Sequence, residues 1–199
     1  MAKKKILAIM GSPRNNRNTN QALDFLLQEI DKEIFQIKKV YLNKLNINPC
    51  TGCDYCGHKE GCSQKDDMIE LYKDFDNSHI IILAAPLYFN SINGLTKNMI
   101  DRCQKYWSLK YSLGGNYKRG EDRVGIFVSV GGAPYTYDQF NGAFPVIDFF
   151  FKAINVEYKG NYLISDTDKV AVKDKVDIIK DLLYIGRNIL NMDEFHIHK

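Results

Sequence analysis

The chain has 199 residues, 45% of them hydrophobic and 26% charged. That suffices for one α/β unit with its own core and excludes disordered, collagen-like and mucin-like chains. Lysine and arginine number 27 against 24 aspartate and glutamate, a net charge of +3; a basic balance so weak and scattered argues against nucleic acid or an anionic membrane surface as partner.

Lys5 to Met10 is apolar and stops at Gly11-Ser12-Pro13, the pattern of a buried strand. Ala22, Leu23, Leu26, Leu27 and Ile30 recur at helical spacing, so a helix is expected from about Asn18 to Ile30. Phe35 to Leu42 alternates with polar residues and reads as a second strand, and a cysteine-rich loop follows it. Asp66-Asp67 stands just before Met68, where an aspartate caps a short helix. His79 to Ala85 is continuously apolar, as parallel strands buried on both faces are.

Gly94 to about Tyr106 reads as a helix, Ser108 to Asp122 as a polar, aromatic-bordered loop, and Arg123 to Val130 as a fourth strand ending at Gly131-Gly132. A mainly helical stretch runs from Gln139 to about Ile154 with an interruption near Pro145. Val156 to Ile164 is a fifth strand, Asp168 to Met192 carries the last helix, and His196 and His198 fall in a solvated tail. The longest apolar run, Ile80 to Phe89, has ten residues, against about 20 for a membrane-spanning helix. The run Ile6 to Met10 behind Lys3-Lys4-Lys5 is shorter than the core of a secretory signal. A cytoplasmic location without membrane contact is expected.

Strands alternating with helices make a doubly wound sheet. The expected fold is α/β: a flavodoxin-like three-layer sandwich with a five-stranded parallel sheet of order 2-1-3-4-5. It forms a single unit over residues 1–199, with the cysteine-rich loop 50–65 inserted after the second strand. In that topology the ligand lies at the carboxyl ends of the first and third strands. The loops Gly11 to Asn18, Pro86 to Asn93 and Gly131 to Tyr137 would converge there.

Gly11-Ser12-Pro13-Arg14-Asn15-Asn16-Arg17-Asn18-Thr19 joins a strand to a helix. Helix N-termini present unpaired amides to anions. Ser12, Asn18, Thr19 and the adjoining Asn20 add polar side chains, and Arg14 adds charge. The loop carries neither the Walker pattern nor the three spaced glycines of a dinucleotide fold. One terminal phosphate held by hydroxyls and amides is the better fit, with an ordinary capped helix start as the alternative.

Cys50, Cys53, Cys56 and Cys62 follow the spacing C-x2-C-x2-C-x5-C. Ferredoxin-type [4Fe–4S] ligation uses a similar core. Structural zinc usually shows two ligand pairs with a longer spacer, although His58 lies inside the loop. An iron–sulfur cluster, free redox-active thiols and zinc are all compatible with these residues. Cys103, near Ile100 and Trp107, reads as a packing residue, and Asp101-Arg102 as a structural ion pair or helix-face feature.

The loop Gly11-Ser12-Pro13-Arg14 with Asn18-Thr19 resembles the flavin phosphate loop of the NAD(P)H-dependent FMN reductases of flavodoxin-like fold. Pro86-Leu87-Tyr88-Phe89-Asn90-Ser91, running on to Lys97 and Asp101-Arg102, resembles that family's second flavin loop. Cys50-Thr51-Gly52-Cys53-Asp54-Tyr55-Cys56, Gly61-Cys62 and Asp66-Asp67-Met68 resemble its iron-sulfur flavoprotein branch. The likeness covers roughly residues 5 to 132. It implies an FMN-dependent oxidoreductase. Tyr88 and Phe89 would form a platform for the flavin ring, the amides of Asn90 and Ser91 would serve as donors, and Gly131-Gly132 would allow close backbone approach.

The resemblance further implies a [4Fe–4S] cluster on Cys50, Cys53, Cys56 and Cys62, and a small redox protein such as ferredoxin or a small molecule as electron acceptor. It implies a homodimer or homotetramer as well. A cluster-free NAD(P)H-dependent FMN or quinone reductase is the alternative enzyme. A non-catalytic flavin- or zinc-binding redox sensor is the alternative from another class.

Overall fold

The computed structural model describes residues 3–199, so residues 1 and 2 of the expected 1–199 unit lie outside it. Strand β1 (Lys4–Met10) leads into helix α1 (Asn18–Gln28) and strand β2 (Phe35–Tyr41). The one-turn helix α2 (Tyr55–His58) lies in the cysteine segment, and α3 (Met68–Asn77) follows. Strand β3 (Ile80–Tyr88) turns back through the two-residue strand β4 (Ser91–Ile92) into α4 (Gly94–Arg102) and α5 (Gln104–Tyr111). Then come β5 (Val124–Val130), α6 (Phe144–Ala153), β6 (Glu157–Ile164), α7 (Val176–Arg187) and β7 (Phe195–His198).

The sheet has seven strands in the order β2-β1-β3-β5-β6-β7, with β4 paired to β3. All pairs are parallel except the β3–β4 hairpin. The α/β class and parallel sheet match expectation, but the five-strand count and its order do not. Two short strands account for the difference. Residues 195–198 do not form a solvated tail: they add a parallel edge strand to β6, where His198 Nε2 lies 2.6 Å from Ser165 Oγ. Residues 91 and 92 form the return limb of a tight turn, too short to leave a periodic signal.

Both faces of the central strands are buried, and alternation divides the core in two. Leu7 and Ile9 of β1 and Ile81 and Leu83 of β3 point to the side covered by α3, α4, α5 and α6. Ile6, Ala8 and Met10, with Ile80 and Ile82, point to the side covered by α1 and α7. Truncating such a residue, for example Leu83→Ala, costs about 2–5 kcal/mol.

Three helix bounds differ from the sequence reading. The helix expected over Gly94 to Tyr106 breaks at Cys103, and its second half continues to Tyr111, inside the expected polar loop. Buried Cys103 and Tyr106 face the same core and hold the two segments together. Pro145 does not interrupt a helix; it sits in the first turn of α6, where its missing N–H costs nothing. The last helix is confined to Val176–Arg187, preceded by a 3-10 turn over Val172–Asp174.

Candidate functional site

The carboxyl ends of β1 and β3 are joined by a buried polar network. Asn93 Nδ2 donates to Gly11 O at 2.8 Å, and Thr96 Oγ1 donates to Asn93 Oδ1 at 2.6 Å while lying 3.2 Å from Gly11 O. Asn93 and Thr96 are buried. A β-carbon at Gly11 would collide with Thr96 Oγ1 and lie 3.1 Å from Ala84 O. The first loop thus leaves the sheet only because residue 11 has no side chain. Sequence reading singled out neither Asn93 nor Thr96; the only signal was their place at the start of a helix, where polar residues are common.

Beyond Gly11 the expected phosphate residues divide. Ser12 is buried, and its Oγ accepts the Arg14 amide at 3.1 Å, shaping the loop from within. Thr19 and Asn20 are buried in the first turn of α1, and Arg14 is exposed. Asn20 is taken up by Asp24 at 2.6 Å and by Lys39 Nζ at 3.0 Å. Asn18 also turns away, donating to Thr167 O at 3.2 Å and accepting the Val172 amide at 3.1 Å. No described side chain caps α1. Its first-turn amides, with the positive end of an 11-residue helix dipole, therefore face the loop. An uncapped N-terminus beside a glycine exit fits a phosphate group.

The second loop is a two-residue hairpin turn. Tyr88 pairs with Ser91, and Phe89 and Asn90 take left-handed φ values of 48° and 60°. Two consecutive left-handed residues define the turn type that matches strand twist, but a phenylalanine there is strained. The Phe89 side chain is fully exposed and Tyr88 partly so, while Pro86 is buried and Leu87 half-buried. Asn90 Oδ1 accepts from Tyr137 Oη at 3.1 Å, and Ser91 Oγ donates to Gly142 O at 3.0 Å. The hairpin therefore carries an aromatic pair that its own chain leaves uncovered.

The third loop packs against this turn through Tyr137, and the segment after it through Gly142. Gly131 is buried, with its carbonyl held by Thr167 Oγ1 at 3.0 Å. A β-carbon at Gly132 would lie 2.6 Å from the carboxylate carbon of Asp168. The space beside Gly132 is thus occupied by the Asp168 carboxylate.

All four cysteines of the C-x2-C-x2-C-x5-C run line one cavity of about 580 Å³. Asp101 and Arg102 at the end of α4, and Gln104, Lys105 and Ser108 of α5, form its floor. Polar donors reach three of the four sulfurs. Arg102 Nη2 donates to Cys62 Sγ at 3.5 Å, Ser108 Oγ donates to Cys56 Sγ at 3.5 Å, and Ser63 Oγ lies 3.2 Å from Cys53 Sγ. The bond to Ser63 is the main cause of a Cys53 thiol held below the ordinary range. Buried Cys103, the packing cysteine, is pushed the other way by desolvation. Such donors favour the thiolate, the form that ligates metals.

Among the described residues, no three His, Cys, Asp or Glu side chains stand close enough to share one metal ion. His58 Nε2 instead lies 3.2 Å from the Asp54 carboxylate in solvent. A polynuclear cluster binds each thiolate through a different iron rather than through one shared ion, and the four cysteines border one cavity.

Asp101 and Arg102 are not paired with each other. Lys97 Nζ bonds to Asp101 at 2.7 Å, whereas Arg102 makes a buried fork to Asp66, 2.6 Å from Nη1 to Oδ2 and 3.2 Å from Nη2 to Oδ1. Burial acts most strongly against the Arg102 charge, but the bond to Asp66 together with Tyr72 and Cys62 more than offsets it and strengthens protonation. Burial likewise acts against the Asp66 charge, while Arg102 and the amides of Asn48 and Met68 hold its carboxyl below the usual range. Through the Met68 amide, 3.1 Å away, Asp66 also caps α3. The cavity lies at the end of α4 remote from the hairpin, and nine residues of helix, roughly 13 Å, separate the two.

The sequence model of the NADPH-dependent FMN reductase family matches residues 4–150, which include all three loops and the cysteine segment. An iron-sulfur flavoprotein of Archaeoglobus fulgidus is 38% identical over 115 residues, covering 56% of this chain and 52% of that protein. An iron-sulfur flavoprotein of Methanocaldococcus jannaschii is 33% identical over 129 residues, covering 64% of this chain and 62% of that protein. The chain thus spans about half to three fifths of the length of these curated relatives. In fold it is similar to an NAD(P)H:quinone oxidoreductase from Methanothermobacter marburgensis, with a TM-score of 0.72, 11% identity and coverage of 98% of this chain and 100% of that one.

Proposed function

Because the chain belongs to the NADPH-dependent FMN reductase family, we propose that it is an FMN-dependent oxidoreductase. In this reading electrons pass between flavin, a [4Fe–4S] cluster on Cys50, Cys53, Cys56 and Cys62, and a ferredoxin-like carrier or small-molecule acceptor. Residues 3–199 act as one flavodoxin-like unit carrying the cysteine loop. The observation that supports the cluster most is the gathering of four cysteines around one cavity, with donors directed at three of their sulfurs. The relatives named iron-sulfur flavoproteins point the same way.

Bound flavin supplies two-electron capacity and a bound cluster one-electron capacity. The chain's own residues bind and orient. The uncapped start of α1 holds the flavin phosphate, in a loop shaped by Ser12 and closed by buried Thr19. Tyr88 and Phe89 would supply a platform for the ring, the amides of Asn90 and Ser91 would serve as donors, and Gly131-Gly132 would allow close approach. Arg102, Ser108 and Ser63 stabilise the cysteine sulfurs as thiolates. The fully exposed Phe89 is covered by flavin or by a second copy of the chain, which agrees with a homodimer or homotetramer.

Protein purified without oxygen tests this directly. About four iron and four labile sulfide per chain, with FMN and a broad shoulder beside the flavin bands, are expected. A second reading draws on the solvent exposure of Cys50 and Cys53, which suits free redox-active thiols. In it the protein is a cluster-free NAD(P)H-dependent FMN or quinone reductase. Flavin bands with no iron or sulfide establish that reading in place of the first.

A further inference from the structure

Arg102 is the largest fully buried side chain of the described residues, and it lines the cysteine cavity. Its fork to Asp66 neutralises its charge, and Nη1 also donates to Asn48 O at 2.9 Å. The remaining hydrogen bonds leave the protein's own polar groups unevenly served. Nη2 reaches only a sulfur, Cys62 Sγ, beyond Asp66, and buried Nε has no partner. An orphaned buried N–H is costly, and a buried ion pair by itself is weak support for a fold. Asp66, Asn48 and Gln64, whose Oε1 lies 3.5 Å from Nη1, thus leave Nε without a partner and Nη2 against a sulfur.

Resting on the cluster reading above, we propose that Arg102 is a positioning and redox-tuning residue for the centre held by the four cysteines. Its fixed guanidinium seats Cys62 and biases that centre toward its reduced state. The physical basis is charge. One added electron makes a thiolate-ligated centre more negative, and hydrogen bonds and positive charge at its sulfurs favour that form. Besides Arg102, the charged residues lining the cavity are Asp54, Asp101 and Lys105, with Asp66 behind Arg102; Asp54 meets His58. Asp101 is engaged by Lys97, and Lys105 lies over the Tyr72 and Tyr106 rings at 4.3 and 4.4 Å. The Arg102–Asp66 pair is then the element whose two halves pull the potential in opposite directions.

The test uses the full chain, purified anaerobically, with iron, sulfide and FMN counted, circular dichroism recorded, and the iron–sulfur midpoint potential read by electron paramagnetic resonance during redox titration. The wild type is measured first; absence of iron and sulfide there overturns the cluster reading itself, separately from any result on Arg102. In cluster-loaded protein, Arg102→Gln is expected to shift the reduction equilibrium at least tenfold toward the oxidised state, a fall of about 59 mV for one electron. Asp66→Asn, which removes the opposing charge, is expected to raise the potential.

Arg102→Lys keeps the charge but loses the fork, and its potential is expected between those of wild type and Arg102→Gln. Loss of iron from Arg102→Lys with FMN and circular dichroism intact supports the seating role. A purely structural clamp would move both halves of the pair in the same direction. Equal potentials in all loaded variants, shifts of the same sign for Arg102→Gln and Asp66→Asn, or loss of the folded state in both Arg102 variants overturns the proposal.

Discussion

Asn93 donates its side-chain amide to the backbone carbonyl of Gly11, 82 residues earlier in sequence, at 2.8 Å. This bond locks the first loop to the start of the helix that follows the hairpin, so both halves of the candidate flavin site move as one body. Gly11→Ala would force a methyl group against Thr96 Oγ1 and Ala84 O. A destabilisation of about 1–3 kcal/mol is expected from such overpacking, with weaker FMN binding. Thermal unfolding and flavin-fluorescence titration read the two effects, and an unchanged melting point together with unchanged affinity would refute this coupling.

Ser12 and Asn18 sit in one loop but serve different ends. Replacing Ser12 and Thr19 by alanine together is expected to weaken FMN by roughly 1–3 kcal/mol, because the bonds of Ser12 to Arg14 that shape the phosphate loop are lost. Asn18→Ala removes the bridge to Thr167 O and the Val172 amide instead. It is expected to cost about 1 kcal/mol of stability while changing flavin affinity less. Isothermal titration beside denaturant unfolding separates them, and the reverse ordering of the two affinities contradicts the assignment.

Phe89 holds a left-handed backbone at φ 48° with its ring in solvent. A side chain in that conformation costs about 1–2 kcal/mol. Phe89→Gly is expected to stabilise the flavin-free protein by about 1 kcal/mol and to weaken flavin binding, since it removes the aromatic platform. If the glycine variant loses stability, the turn is not strained; if it binds FMN as tightly as before, the ring is not a platform.

His198 couples the edge strand to pH. Burial first, then the neighbouring charge of His196, lowers its affinity for protons, while Asp138 acts the other way. Its ring nitrogen meets Ser165 Oγ, and the ring packs edge-on against Tyr135. A histidine held below its unfolded value near 6.5 binds fewer protons when folded. The stability it contributes is complete above that value and is lost as pH falls through the lowered folded value. Corrected for the intrinsic rate, hydrogen exchange of residues 195–199 is expected to speed up as pH falls below about 6.5. In His198→Asn that extra acceleration should vanish, and its persistence would reject the role of this ring.

Much of the fold was legible because it rests on local pattern. The apolar runs of β1, β3 and β5 could only be strands buried on both faces, and the spacing of Ala22, Leu23 and Leu26 could only present one helical stripe. Gly11-Ser12-Pro13 marked where the first strand had to stop. The four-cysteine spacing brought reactive groups into one loop whatever the rest of the chain did, and the structure turns them toward a single cavity.

What the tertiary structure alone decided depends on pairing across long stretches of chain. Arg102 follows Asp101 directly yet binds Asp66, because the burial of α4 carries its charge into the core, where only a carboxylate can compensate it. Asn18 has the sequence position of a phosphate ligand or cap, but packing against the segment before α7 claims its amide. Strand β7 carries four residues and no strong apolar signal; the free edge of β6 makes it a strand by offering unpaired backbone groups. Local periodicity fixes which face a residue shows, and only the assembled fold determines which distant group meets it there.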